Sequence, residues 1–146
     1  MFVPENSDVD RRSVPRSGRS YAARTTENLV SEQALDAGRQ IIAVRGELDL
    51  LLAPDLDQKL KKAIAAGKTG IVIDLTETSY LDESGLNPFM NALKALRRRG
   101  GVIAVAVADP NVAKIFEITM LHQVFRIRGT RDDAIAALDE ATTTPG

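Results

Sequence analysis

The sequence predicts an α/β domain: a mostly parallel sheet of four to five strands, an N-terminal hairpin strand and about four helices. Short runs rich in Val, Ile and Ala, at residues 70–75 and 102–108, have the largely apolar, β-branched character of strands buried on both faces. Between such runs, apolar residues recur every three to four positions, as they do in amphipathic helices. This alternation favours a parallel sheet that is covered by helices and joined by right-handed crossovers.

The predicted elements follow the order β-β-α-β-α-β-α-β-α. The first two strands flank a turn and form a hairpin, and Gly67 stands where the first helix is expected to end. The second helix ends in three arginines, which suit the partial negative charge of a helix C-terminus. In chain order the predicted segments are strands at 29–35 and 40–46, a helix at 52–66, a strand at 70–75, a helix at 86–99, a strand at 102–108, a helix at 111–118, a strand at 124–127 and a helix at 130–138.

Composition excludes several classes of function. The chain has 146 residues, 44% of them apolar, which is enough for one domain with an ordinary core. Its net charge of -1 gives no positive field for nucleic acid or an anionic membrane. It has no cysteine and a single histidine, His122, so a thiolate or histidine metal site is not expected. No apolar run approaches the roughly 20 residues that span a bilayer.

Both ends of the chain differ in composition from the middle. Residues 1–27 combine prolines, serines and five arginines with few large apolar groups, which predicts a flexible tail. The alternative is an arginine-rich arm for a partner or nucleic acid, although acidic residues interrupt the charge. No apolar segment follows Arg11 and Arg12, so export is not expected and the predicted location is the cytoplasm. The predicted domain covers residues 28–140, and residues 141–146 form a flexible C-terminus.

No motif for catalysis or cofactor binding is present. Neither glycine-rich phosphate loop occurs, and Ser84 lies in Glu83-Ser84-Gly85 without the G-x-S-x-G elbow of a nucleophilic serine. His122 follows Leu121 and is expected to be a surface or hydrogen-bonded histidine. The sequence therefore predicts neither catalysis nor a cofactor, and a small enzyme or nucleotide-binding domain is a less favoured alternative.

Two acidic residues occupy strand ends, where ligands gather in α/β sheets. Asp49 follows the second predicted strand and Asp74 ends the third. A receiver domain also has an aspartate after its third strand, but it needs an acidic pair after the first strand and a late lysine, and this sequence lacks both. Asp74 is therefore expected to anchor a loop by accepting backbone N–H bonds.

A polar segment, residues 76–85, is predicted to be a loop that leads into the second predicted helix. Its last residues permit two interpretations. The unpaired N–H groups and partial positive charge of a helix start can hold a phosphate. Alternatively, Asp82 or Ser84 is an N-cap and Glu83 a favourable first-turn acid. Spacing alone leaves both interpretations open.

Two stretches together resemble the signatures of the STAS family. They are residues 44–49 (VRGELD) and residues 71–86, and the resemblance extends through residues 93–101 and 121–127 to cover about 28–140. It implies a module that binds an anti-sigma factor of the GHKL kinase type, frees the sigma factor and regulates transcription. The alternative is a STAS-type regulatory module in another signalling or transport assembly.

The resemblance also implies which residues bind the partner. They are expected at the turn of Asp49, in the segment from Thr76 to Glu83 and on the exposed side of the second helix, at one end of the sheet. The individual residues assigned to partner binding are Asp49, Asp74, Asp82, Glu83 and Ser84. Oligomeric state stays open, because an edge strand can pair with a second copy or remain solvated.

The sequence departs from the family at the phosphorylation site. Family members are switched off when a serine at the start of the second helix is phosphorylated, in the pattern Asp-Ser-Ser-Gly or Asp-Ser-Thr-Gly. Here the pattern is Asp82-Glu83-Ser84-Gly85, so the acceptor position holds a glutamate without a hydroxyl. Either Glu83 is a built-in negative charge in a constitutive binder, or Ser84 is the phosphoacceptor.

Overall fold

In the described part of the chain, five strands lie across the sheet in the order in which they occur in the sequence. The computed structural model describes residues 29–140. The first two strands are antiparallel and every other neighbouring pair is parallel, which confirms the predicted fold class and the N-terminal hairpin strand. The strands are β1 (Val30–Ala34), β2 (Arg39–Leu48), β3 (Gly70–Leu81), β4 (Val102–Val107) and β5 (Arg126–Arg128).

Within residues 29–140, four helices cover the two faces of the sheet unequally. They are α1 (Ala53–Ala65), α2 (Glu83–Arg97), α3 (Pro110–Ile118) and α4 (Arg131–Leu138), and a 3-10 turn (Leu121–Gln123) precedes β5. The first three contribute Leu56, Phe89 and Phe116 to one large core. On the other face, α4 packs Ala134 and Ala137 against the sheet. The large core therefore lies between the sheet and α1, α2 and α3.

Aromatic packing fixes α2 against α3. The ring of Phe89 meets Phe116 at 5.7 Å and Phe125 at 5.8 Å between centroids, in edge-to-face contacts. Such contacts add about 0.5–1.5 kcal/mol each beyond the burial of apolar area. The start of α2 is consequently carried on a well-packed helix.

Strand β3 is longer than predicted. Residues 76–81, expected to be a loop, continue β3 to Leu81 and pair with the end of β2. The register between the two strands shifts twice, and Gly46 takes a φ of 90° there, which a residue with a side chain rarely adopts. Thr78 is buried and donates its hydroxyl to the Val44 carbonyl at 2.8 Å. The loop prediction was wrong because this irregular part of the strand, in which half of the side chains are exposed, has the composition of a loop.

The last strand also differs from its prediction. β5 covers only Arg126–Arg128, whereas residues 124–127 were expected, because Phe125 turns into the core after the 3-10 turn. The predicted flexible ends, residues 1–27 and 141–146, lie outside the described residues. Within residues 29–140, no helix combines the length and apolar character that a membrane crossing requires.

Candidate functional site

The ends of β2 and β3 and the start of α2 meet at one point. Leu48 and Leu81 are paired as the last residues of their strands, so Asp49 and Asp82 follow side by side. Oδ1 of Asp82 accepts hydrogen bonds from the backbone N–H groups of Ser84 at 3.0 Å and Gly85 at 3.3 Å. Asp82 is thus the N-cap of α2, as one of the two sequence interpretations held, and Glu83 is in the first turn.

Gly85 allows α2 to begin directly against β2. A Cβ at this position would lie 2.4 Å from the carbonyl oxygen of Leu48 and 2.8 Å from the side chain of Leu81. Any other residue would push the helix away from the strand. The first turn of α2 is therefore held in fixed contact with the strand ends.

The turn between β2 and α1 presents an apolar side chain to solvent. Asp49 is fully buried, and its Oδ1 accepts from the backbone N–H groups of Leu51 at 3.1 Å and Leu52 at 3.4 Å. Its carbonyl accepts from Ala53 at 2.8 Å. Leu50, between these residues, is 70% exposed. The carboxylate of Asp49 thus shapes the turn, and Leu50 is the side chain that the turn exposes to solvent.

Ser84 borders two grooves on either side of the start of α2. One groove, of about 250 Å³, runs towards α1 and is lined by Leu50, Pro54 and Asn87 among others. The other, of about 490 Å³, runs towards α3 and is lined by Glu83, Met90 and Leu121 among others. Asn87 and Ser84 line both. The structure therefore places a half-buried serine and an exposed glutamate at the centre of a continuous surface.

Asp74 lies apart from this surface, on the face of the sheet that α4 covers. Its Oδ1 accepts from the backbone N–H of Thr76 at 2.9 Å and from its hydroxyl at 2.7 Å. Its Oδ2 accepts from Nε of Arg131 at 2.7 Å. The expected anchoring through a backbone N–H is confirmed, although what it anchors is strand and not loop.

The side chain of His122 is exposed, with Nδ1 3.2 Å from the carbonyl oxygen of Phe116. This agrees with the expectation of a surface or hydrogen-bonded histidine.

The profile of the STAS domain matches residues 30–134. The chain belongs to the STAS domain family. Within the family, it is 36% identical to the anti-sigma-B factor antagonist of Listeria monocytogenes over 94 residues, which cover 63% of this chain and 81% of that protein.

Solved structures have the same fold. An anti-sigma factor antagonist from Mycobacterium paratuberculosis is 27% identical, with a TM-score of 0.67, and the match covers 76% of this chain and 95% of that one. The Bacillus cell fate determinant SpoIIAA in its phosphorylated form matches with a TM-score of 0.60 at 20% identity, over 74% of this chain and 97% of that one. At that identity, the second match shows the fold alone.

The candidate site of this STAS domain is only partly the one that the sequence indicated. Asp49, Asp82, Glu83 and Ser84 do converge, whereas Asp74 lies elsewhere. Leu50 and Met90 were not assigned to it, although an exposed apolar residue directly after a buried turn aspartate is a signal that could have singled out Leu50. Among the described residues, the Ser84 hydroxyl has no hydrogen-bond partner, because only its backbone N–H is bonded.

Proposed function

We propose that this STAS domain is an anti-sigma factor antagonist, which binds an anti-sigma factor and thereby frees a sigma factor for transcription. The observation that carries the proposal is the 36% identity to an anti-sigma-B factor antagonist over 81% of that protein's length. The protein acts as a binding module in the cytoplasm and not as an enzyme. Its partner has a kinase fold of the GHKL type, as the family resemblance implies.

We propose as the docking surface the group Leu50, Glu83, Ser84, Asn87 and Met90, in which Ser84 and Met90 are half-buried and the other three are exposed. It combines an apolar side chain that is 70% exposed with an exposed carboxylate and two grooves. A few residues that become fully buried supply most of the affinity of an interface, whereas charges mainly supply specificity and association rate. Leu50 is therefore the expected anchor and Glu83 the expected electrostatic contact.

Asp49, which is buried, and Asp82, which is half-buried, act through this surface and not on it. Asp49 holds the turn that carries Leu50, and Asp82 caps the helix that carries Glu83 and Ser84. Replacing either one would disturb folding and docking together. Variants of Leu50 and Asn87 are consequently cleaner tests of docking.

Glu83 makes the module a constitutive binder with moderated affinity. A glutamate carries about one negative charge at neutral pH, against about 1.5–2 for a phosphoserine, and presents two acceptor oxygens instead of three. It is thus a partial mimic of the phosphorylated state. The same position offers no hydroxyl through which a kinase could switch the protein off.

The test begins with a pull-down from the native cytosol, followed by calorimetric titration of the purified partner. We expect a protein with a GHKL-type kinase fold to be recovered. Leu50→Asp and Asn87→Arg should weaken its binding by more than tenfold, which is about 1.4 kcal/mol. Ala136→Asp and Ala136→Arg introduce the same charges at an exposed position of α4 on the opposite face, and they should leave affinity unchanged.

Two results would count against this proposal. Equal affinity of the Leu50, Asn87 and Ala136 variants, all folded, would rule out the docking surface. Recovery of a membrane transporter or a multi-protein scaffold instead of a kinase-fold protein would favour a STAS regulatory module of another assembly.

A further inference from the structure

A further concave site lies between α1 and α2, beyond the docking surface along these helices. Its volume is about 240 Å³. The two helices lie side by side, with Leu60 and Ile64 of α1 facing Ala92 and Ala95 of α2. A hollow remains because the two alanines are too short to fill the space opposite the larger residues. Its other lining residues are Asp57, Lys61, Ala65, Asn91 and Arg99.

The charged residues of this pocket leave one cation uncompensated. Asp57 and Lys61 pair with each other at 2.8 Å between oxygen and Nζ, so their charges cancel. The guanidinium of Arg99 donates from Nη1 to the carbonyl oxygen of Ile64 at 2.5 Å, near the end of α1. Within residues 29–140, Arg99 has no carboxylate partner. The pocket therefore combines an apolar floor with a net charge of about +1 and free guanidinium N–H groups.

We propose that this pocket is a binding site for a small carboxylic acid with an apolar body, such as a medium-chain fatty acid. The hydrocarbon would lie on Leu60, Ile64, Ala92 and Ala95, from which it would displace water. The carboxylate would accept hydrogen bonds from Arg99, whose planar fork suits two oxygens. The volume falls just below the roughly 300 Å³ at which pockets for drug-sized ligands begin, so a ligand of about ten heavy atoms is expected.

The site is independent of the proposed function. Leu50, Glu83 and Ser84 do not line it, although Asp57 and Asn91 line both this pocket and the neighbouring groove of the docking surface. An antagonist that fails to bind an anti-sigma factor could still bind the acid, and the reverse also holds. Either proposal can therefore be contradicted by experiment without contradicting the other.

The experiment is an NMR titration of the full chain with octanoate as the probe. We expect saturable shifts that are concentrated at the amides of Ile64, Ala92 and Ala95. Octan-1-ol keeps the chain without the carboxylate, and butyrate keeps the carboxylate with a shorter chain; each should bind at least tenfold more weakly. Because hydrogen bonds between charged groups are the stronger kind, Arg99→Gln should weaken octanoate by about tenfold or more.

Matched variants distinguish specific binding in the pocket from non-specific attraction of octanoate to a positively charged surface. Arg98→Gln removes the neighbouring arginine, which is exposed and does not line the pocket, and should leave octanoate binding unchanged. Ala95→Leu should fill the hollow and abolish binding. If Arg99→Gln fails to fold, the ligand series and Ala95→Leu still decide the matter. Equal binding of octanol and octanoate, equal losses in the two arginine variants, or no localised shifts at millimolar octanoate would overturn the proposal.

Discussion

Nε of Arg131 donates to Oδ2 of Asp74 across 2.7 Å, which joins the first turn of α4 to β3. Burial alone would raise the pKa of Asp74. The hydrogen bonds from the backbone and hydroxyl of Thr76, together with Arg131, outweigh it and hold the pKa below its usual value of 3.8. The carboxylate is therefore charged at neutral pH and fastens the only helix that packs on this face within residues 29–140.

Replacing this carboxylate should destabilise the fold. Asp74→Asn leaves Arg131 and Thr76 with a neutral partner in a mostly buried place, and we expect a loss of about 1–3 kcal/mol in the free energy of unfolding. Urea denaturation at pH 7 measures it. Asp132→Asn, on the exposed first turn of α4, is the control and should change stability by less than about 0.5 kcal/mol. Equal losses in both variants would contradict the role given to Asp74.

The same ion pair predicts a pH dependence. Because the pKa of Asp74 is lower in the folded state than in the unfolded chain, the contribution of its charged form to stability is complete above the unfolded pKa of about 3.8. It is lost as the pH falls through the lower folded value. The stability difference between wild type and Asp74→Asn should consequently narrow between pH 5 and pH 3 in urea titrations. A difference that stays constant over this range would argue against a charged Asp74.

Gly85→Ala should damage the start of α2. The new methyl group would lie 2.4 Å from the Leu48 carbonyl oxygen, so the helix or the strand end must move. We expect a cost of about 1–3 kcal/mol, together with NMR shifts at Leu48 and Ser84. Gly129→Ala is the matched control, because a Cβ there meets nothing within 4 Å and its φ is not positive. An unchanged free energy of unfolding in Gly85→Ala would show that the start of α2 has room for the methyl group.

Phosphorylation should not switch this protein in the usual family manner. Incubation with the recovered kinase-fold partner and ATP is expected to add no mass. Glu83 has no hydroxyl, and adjacent residues at a helix start point in different directions, so a kinase active site that is set for position 83 would not readily reach Ser84. Glu83→Ser should gain one phosphate and, before phosphorylation, bind the partner more tightly. Intact-mass measurement decides between the alternatives. A phosphate on the wild type that disappears in Ser84→Ala would make Ser84 the acceptor.

Deleting residues 1–27 should leave the melting temperature unchanged to within a few degrees. These residues carry few large apolar groups, so little burial can be lost with them. Differential scanning calorimetry of the full and shortened chains makes the comparison. A larger drop would mean that the segment packs on the domain, since about 1 kcal/mol corresponds to several degrees at this size.

The alternation of apolar periods was enough to predict the fold, because buried strands such as β4 and amphipathic helices such as α2 leave strong local patterns. The extension of β3 to Leu81 left no such pattern in the sequence. Its pairing with β2 depends on two register shifts and on Gly46, and such long-range geometry is not encoded in the composition of residues 76–81.

The candidate site could be predicted only in part. Asp49 and Asp82 converge because consecutive parallel strands end at the same edge, which follows from topology. Asp74 was grouped with them because a strand end was assumed just after it, whereas β3 continues for seven residues to Leu81. Its side chain points to the α4 face, so sequence position could not reveal its partner, Arg131.

Each strand of this sheet pairs with the strand that comes next in the sequence, so no strand has to be inserted between two that have already paired. When contacting elements are close along the chain, less entropy is lost in closing the loop between them. Such contacts favour rapid folding. During synthesis, the hairpin of β1 and β2 is complete first, and each later strand with its helix can add to an existing edge. At each stage of synthesis, the strand that leaves the ribosome next can therefore pair with the strand made just before it, which forms the free edge of the sheet.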